Sequence, residues 1–192
     1  MPLDRDVKGH LKNLEEAMKF DDYAHAVSVI NTAHRHVHDG FFFHMSGRTS
    51  LGIGATYNML ISVPAGCYPH FQDIIFNIGD SPGDIFVFEG TTTSADGTPV
   101  TAFNRNRNSA NTPSLQVFHT PTITGDGSQI HDRYIVDNGG LGSNQIGVYR
   151  SAQGEEWVLK PDTKYLVRYV NNSGNAIILG FEGAWYEIGS VK

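Results

Sequence analysis

The chain has 192 residues, 40% of them hydrophobic and 18% charged, a size at which one globular domain buries a sizeable core. Lys and Arg number 14 against 20 Asp and Glu, and the formal charge of -6 excludes a whole-chain electrostatic footprint for nucleic acid or an anionic membrane, leaving room only for a local basic patch. The 21 glycines are scattered between short Val, Ile, Phe, Tyr and Thr runs with no three-residue period, which excludes collagen and favours a turn-rich, all-β body. Cys67 is the single cysteine, so no internal disulfide and no CxxC motif is available, and the fold must stand on packing.

The chain opens on PLDRDVKGHLKNLEEAMKF, which carries charges every few residues and no apolar run of signal-peptide or transmembrane length. Synthesis in a reducing cytoplasm is the expectation. Within the first twenty residues Val7, Leu11, Leu14 and Met18 step by four, three and four, the alternation of a two-heptad seam, and predict a helix. Gly9 costs it about 1 kcal/mol against alanine, and two heptads are marginal alone, so the seam needs a partner. That partner is either the protein's own body or identical helices in an inter-subunit bundle. Residues 22–38, DYAHAVSVINTAHRHVH, fit helix by the spacing of Tyr23, Val27, Ile30, Ala33 and Val37 and strand by β-branched content, and are read as a connector. The division expected is an arm and connector at 1–33 and a β-domain at 34–192.

From Phe41 onward the signals are strands punctuated by glycine, proline and aspartate: 41–46, 57–63, 71–78, 84–89, 115–120, 130–136, 145–150, 155–159, 164–170 and 176–186. Ten short strands predict a β-sandwich or jelly roll, with a closed barrel as the competing architecture. SADGTPV at 94–100 and TGDGSQI at 124–130 share an Asp-Gly turn grammar, read as similar turn chemistry and not as a repeat. The spacing Leu159-x-Pro161-x-Thr163-x-Tyr165 resembles the tyrosine corner of fibronectin-type sandwiches, in which the phenol returns to backbone a few residues upstream; Tyr165 is therefore assigned a structural role.

Candidate chemistry is sparse. His34, His36 and His38 alternate in AHRHVHDG, so an extended backbone would project three imidazoles from one face, with His44 following. An H-x-H pair is also how a cupin site begins, but Asp39-Gly40-Phe41 stands where the cupin pattern wants a glutamate, and a hydrogen-bonded or interfacial histidine strand is the preferred reading over a metal site. Arg105 and Arg107, within NRNRN, offer donors for phosphate; without interleaved aromatics they read better as a polar loop bracing neighbouring loops or a partner's acidic surface. Glu155 and Glu156, like Asp21 and Asp22, are sequence neighbours whose side chains diverge in a strand and read as solvated surface. No nucleophile-base pair, dinucleotide fingerprint or phosphate loop is evident, and Cys67 reads as a structural thiol. No catalytic residue and no cofactor is assigned.

The strings HVHDGFFFHMS, VFEGTTTSADGT, AFNRNRNS, HTPTITGDGSQ, EEWVLKPDTKYLVRYVNNSGNA and the terminal WYE, in that order, resemble a family of bacteriophage virion proteins, the head decoration or capsid cement proteins, over residues 34–187. The resemblance implies a non-enzymatic β-sandwich, commonly trimeric, on the outer capsid surface, with the major capsid protein and its own copies as partners. It suggests neither nucleic acid nor membrane as a ligand. Val7, Leu11, Leu14, Met18, Arg105 and Arg107 are then the candidate oligomer or capsid contacts. A second class of function stands beside it: a tail or fibre adhesin binding host glycan through aromatics such as Tyr68, Tyr149 or Trp185. A metal-dependent cupin-like enzyme is third.

Overall fold

In a computed structural model of the chain, the structure describes residues 19–21, 26–28, 32–79, 82–135, 147–150 and 156–188. The seam of Val7, Leu11, Leu14 and Met18 lies outside them. The chain divides into two compact units, residues 1–35 and 36–192. In the first, β1 (Lys19–Asp21) pairs antiparallel with β2 (Ala26–Ser28), so Lys19 and Phe20 are strand where the seam argument extends a helix.

Helix α1 (Thr32–Asp39) replaces the end of the expected connector. Gly40 terminates it at φ 75°, its N–H bonding Val37 O at 3.1 Å while Phe41 N reaches back to His36 O at 2.9 Å, the paired 5→2 and 6→1 bonds of a Schellman stop. This corrects the extended reading of His34, His36 and His38: on a helix His34 and His38, four apart, lie on one side while His36 lies about 200° away, so the three imidazoles do not share a face.

Apart from the last turn of α1, the regular structure among the described residues of the second unit is β. In chain order its strands are β3 (Phe42–Leu51), β4 (Thr56–Val63), β5 (Tyr68–Gly79), β6 (Gly83–Glu89), β7 (Thr92–Ala95), β8 (Thr98–Pro99) and β9 (Ala102–Asn104). They continue as β10 (Gln116–His119), β11 (Thr122–Gly125), β12 (Ser128–Ile135), β13 (Gly147–Arg150), β14 (Trp157–Val158), β15 (Thr163–Asn171) and β16 (Ile177–Ile188). One sheet runs β13-β5-β16-β3-β9, with β14 also on β5; the other runs β12-β6-β15-β4-β10-β8; every pairing is antiparallel. Each of the ten expected strands overlaps an observed one.

Alternation decides what fills the space between the sheets. Tyr165, Val167 and Tyr169 of β15 and Met59 and Ile61 of β4 meet Met45, Phe71, Phe76 and Trp185 of the facing sheet in one core cluster. Tyr165 turns the corner into β15: its phenol accepts a bond from Lys160 N at 2.9 Å and donates to Glu89 Oε2 at 3.0 Å.

The outer face of the second sheet carries a further cover, the ribbon of β7 and β11. Leu60 and Leu166 point away from the main core yet are fully buried, and Lys164 and Arg168, on that same face, hold Asp96 and Asp126 at the ends of the ribbon strands. Here the structure corrects the reading of mere turn similarity. The segment from Phe88 to Gly97 recurs thirty residues on, from Phe118 to Gly127, as a pair of arms related by a local two-fold. Strand β8, ending the first arm, pairs with β10 of the second, and β12, ending the second, pairs with β6 of the first. Positive φ falls at matching places, 79° at Gly90 and 54° at Thr120, then 96° at Gly97 and 91° at Gly127. A Cβ on Gly97 would lie 2.3 Å from His119 O, and one on Gly127 would lie 2.3 Å from Glu89 O, so both Asp-Gly turns need glycine for the same close crossing.

Candidate functional site

The segment following β9 is built by its asparagines. Asn104 is 7% exposed; its amide donates to Gly40 O at 2.8 Å and Asn111 O at 3.1 Å, and its Oδ1 accepts from Asn106 N at 2.9 Å. Asn106 repeats the device, taking Asn108 N at 3.1 Å and donating to His38 O at 3.0 Å. These Asx turns fix the loop locally and tie it to the end of α1.

Arg105 and Arg107 stand on this scaffold, both exposed. Arg105 N bonds Phe42 O at 2.8 Å and its guanidinium lies 4.5 Å above the Phe42 ring; that of Arg107 lies 5.5 Å from the Phe103 ring. Aromatic support limits the freedom of each guanidinium without consuming its outward donors. The N–H groups of Arg105, Asn106, Asn108, Ser109 and Asn111 already have protein acceptors, so the backbone forms no phosphate cradle. The loop instead presents two fixed, planar cations two residues apart on an acidic protein, an arrangement suited to carboxylates and carbonyls of a partner surface.

Phe42 connects this loop to a titratable cluster on the same sheet face. Its ring is 6.2 Å from Tyr186, on which the imidazoles of His36 and His70 stack at 4.4 and 4.6 Å. The Tyr186 phenol donates to Glu156 at 2.9 and 3.0 Å, and His70 Nδ1 bonds the same carboxylate. Burial works against ionisation of Glu156, but the bonds from His70 and Tyr186 outweigh it and hold the carboxyl below its ordinary value. Burial, reinforced by Glu156, pushes Tyr186 up to about 12, which makes it a fixed donor and not a proton shuttle near neutral pH. Glu156 is thus bound by His70, Tyr186 and Gln72 and is not plain solvated surface. Sequence reasoning missed the trio because 86 residues separate His70 from Glu156 and no local pattern links them.

Among the other singled-out residues, Trp185 is fully buried and donates from Nε1 to Glu187 Oε1 at 3.1 Å, which removes it from the exposed aromatics proposed for glycan. Tyr68 is 48% exposed, and the side chain of Tyr149 lies outside the described set. Cys67 is buried, and that burial together with Glu187 pushes its thiol up to about 12. Glu187 also receives Ser114 N at 2.9 Å and Leu115 N at 2.9 Å, so this buried carboxylate pins the entry to β10. Among the described residues no group of three His, Cys, Asp or Glu side chains has metal-holding geometry, and no helix is long and apolar enough to cross a membrane. In comparisons with known proteins, no family model matches the chain and no curated protein matches it significantly.

Proposed function

We propose that the protein is a bacteriophage capsid decoration protein, a non-enzymatic β-sandwich that binds the outer surface of the head as a homo-oligomer and reinforces it. The observation that carries the reading is the loop at 104–111: a buried asparagine and two Asx turns hold Arg105 and Arg107 exposed and stacked on aromatic rings, a construction that serves contact with another surface. The resemblance of residues 34–187 supplies the partner, the major capsid protein of a virion assembled in the bacterial cytoplasm. In this mechanism the loop meets acidic side chains or carbonyls of the capsid, and Val7, Leu11, Leu14 and Met18 serve self-association, as a trimer. Each copy then contributes a modest contact, and linkage of copies makes dissociation require several to break together.

Imaging of the intact virion tests the assignment. Hundreds of copies at regular positions on the head are expected; a few copies confined to tail or fibre would replace this reading with the adhesin one.

A further inference from the structure

The local two-fold of the second sheet does not extend to all the side chains of its outer face, and a hollow lies where they differ. On the outer face, the row formed by Phe86, Arg168 and Asn58 corresponds under the two-fold to Gln116, Ser62 and Lys164. The ribbon crosses both halves in the same way, and Phe88 has its counterpart in Phe118, but of these two rows only the first carries an aromatic ring and a guanidinium. There a hollow of 540 Å³ opens, floored by Phe86, Phe88 and Val170 and rimmed by Thr56, Asn58 and Gln129. Its volume falls in the range of small-molecule sites, about 300 to 1,000 Å³.

We propose that this hollow binds a neutral saccharide unit. The charge arrangement selects the class. Arg168 gives Nη1 and Nη2 to the two oxygens of Asp126 at 2.7 and 2.6 Å and its Nε to Asn58 Oδ1 at 3.0 Å, so its charge is compensated and three of its five N–H donors are engaged. An anion therefore finds no free cation here, and it would also face Asp132 and Asp84, which lie beside Phe86 and Val170 in the strand register. A cationic ligand would find Asp126 already neutralised by Arg168 and Asp84 bonded by the Asn172 amide at 2.7 Å. What is left for a ligand is polar and without an unpaired charge: the Asn58 amide N–H₂, the Thr56 hydroxyl, the Gln129 amide and the remaining N–H groups of the paired Arg168.

The rings divide their roles. Arg168 lies 5.2 Å from the Phe88 ring and occupies that face, whereas Phe86, half-buried and 6.2 Å from Phe88, offers its ring to the hollow. An accessible aromatic face surrounded by amides and a hydroxyl matches a pyranose, which presents a patch of C–H groups on one face and hydroxyls around its edge. The site lies on the opposite sheet from Arg105 and Arg107, so it is a function separate from capsid attachment.

The test is a titration of the full-length protein, observed by amide chemical shifts, with methyl α-glucoside, methyl β-galactoside and N-acetylglucosamine, and with glucuronate as the anionic control. The expected result is saturable perturbation around Asn58, Phe86 and Arg168 by at least one neutral probe, with Phe86→Leu weakening it tenfold or more and Gln116→Ala, at the related position, leaving it unchanged. Because Phe86→Leu keeps an apolar side chain of similar bulk, Gln129→Ala provides a second readout at the rim, where severalfold weakening is expected. Perturbations absent with all neutral probes, unaffected by both variants, or stronger with glucuronate would overturn the proposal.

Discussion

Asn104 donates its side-chain amide to Gly40 O at 2.8 Å, joining a buried point of the loop to the glycine that ends α1, 64 residues earlier. With Asn111, whose amide reaches the same carbonyl at 3.1 Å, it ties the arginine loop to the stop of the helix. Asn104→Ala removes one of two side-chain donors to Gly40 O and leaves the Asn111 carbonyl and Asn106 N short of a partner, and the expected loss is about 1 to 3 kcal/mol in equilibrium unfolding, with amide exchange accelerated at 105–111.

Tyr165 separates two contributions at the corner. Tyr165→Phe removes the phenol from Lys160 N and Glu89 and should cost about 1 kcal/mol, while Tyr165→Ala also empties a ring-sized volume in the core and should cost about 3 to 5 kcal/mol. Denaturant unfolding of the two variants side by side checks the contrast; equal losses would mean that the hydroxyl and not the ring dominates.

The paired arms make a symmetry prediction. Gly97→Ala and Gly127→Ala each drive a Cβ against a backbone carbonyl in a left-handed turn, so both should destabilise by more than about 1 kcal/mol and by similar amounts. Thr120 occupies φ 54° where the first arm has Gly90, a strained choice for a β-branched residue. Thr120→Asn should accordingly raise stability by about 0.5 to 1 kcal/mol, read as a higher denaturation midpoint.

Acid should weaken the protein through the ribbon anchors. The hydrogen bond from Lys164, with Thr93, holds Asp96 below its ordinary carboxyl value, and Arg168 does the same for Asp126; Lys160 holds Glu89 low. As pH falls the unfolded chain takes up these protons before the folded one, so the stabilisation is fully present above the ordinary carboxyl range and is lost progressively below about pH 4. Unfolding midpoints measured from about pH 7 to about pH 3 should fall, less steeply in the Asp96→Asn, Asp126→Asn double variant, and less steeply in high salt because these pairs are partly solvated.

The strands that line the core were legible because burial imposes alternation on them: Tyr57, Met59, Ile61 and Val63 on β4, and Tyr165, Val167 and Tyr169 on β15, face one way with little interruption. Strands β7 and β11 escaped because they are short and largely exposed, and their pairing partner is each other and not a sheet with an apolar face. The histidines at 34, 36 and 38 mimic strand alternation, whereas the backbone is decided by a helix stop at Gly40 that only the later loop at 104–111 makes advantageous. The two-fold between the arms was hidden for a related reason: what it requires is a positive φ and a close crossing, and outside Phe88, Asp96, Gly97 and their counterparts few side chains are under a shared constraint. Of the site, Arg105 and Arg107 were visible as a run of polar residues, and Phe103, the support of Arg107, stands four residues before it, but Phe42, the support of Arg105, belongs to β3 and is brought beside it by the pairing of β3 with β9. The cluster of His70, Glu156 and Tyr186 exists only once β5 and β16 have paired.

Binding of the purified full-length chain to undecorated phage heads, compared with an Arg105→Ala, Arg107→Ala double variant, bears most directly on the proposed function. Both arginines are exposed and their contacts with the Phe42 and Phe103 rings are worth about 0.5 to 1 kcal/mol each, so the variant should stay folded with only a slightly lower unfolding midpoint while its affinity for heads drops tenfold or more and loses most of its salt dependence. Undiminished decoration by a folded variant, or no binding of the wild-type chain to heads at all, would contradict the assignment.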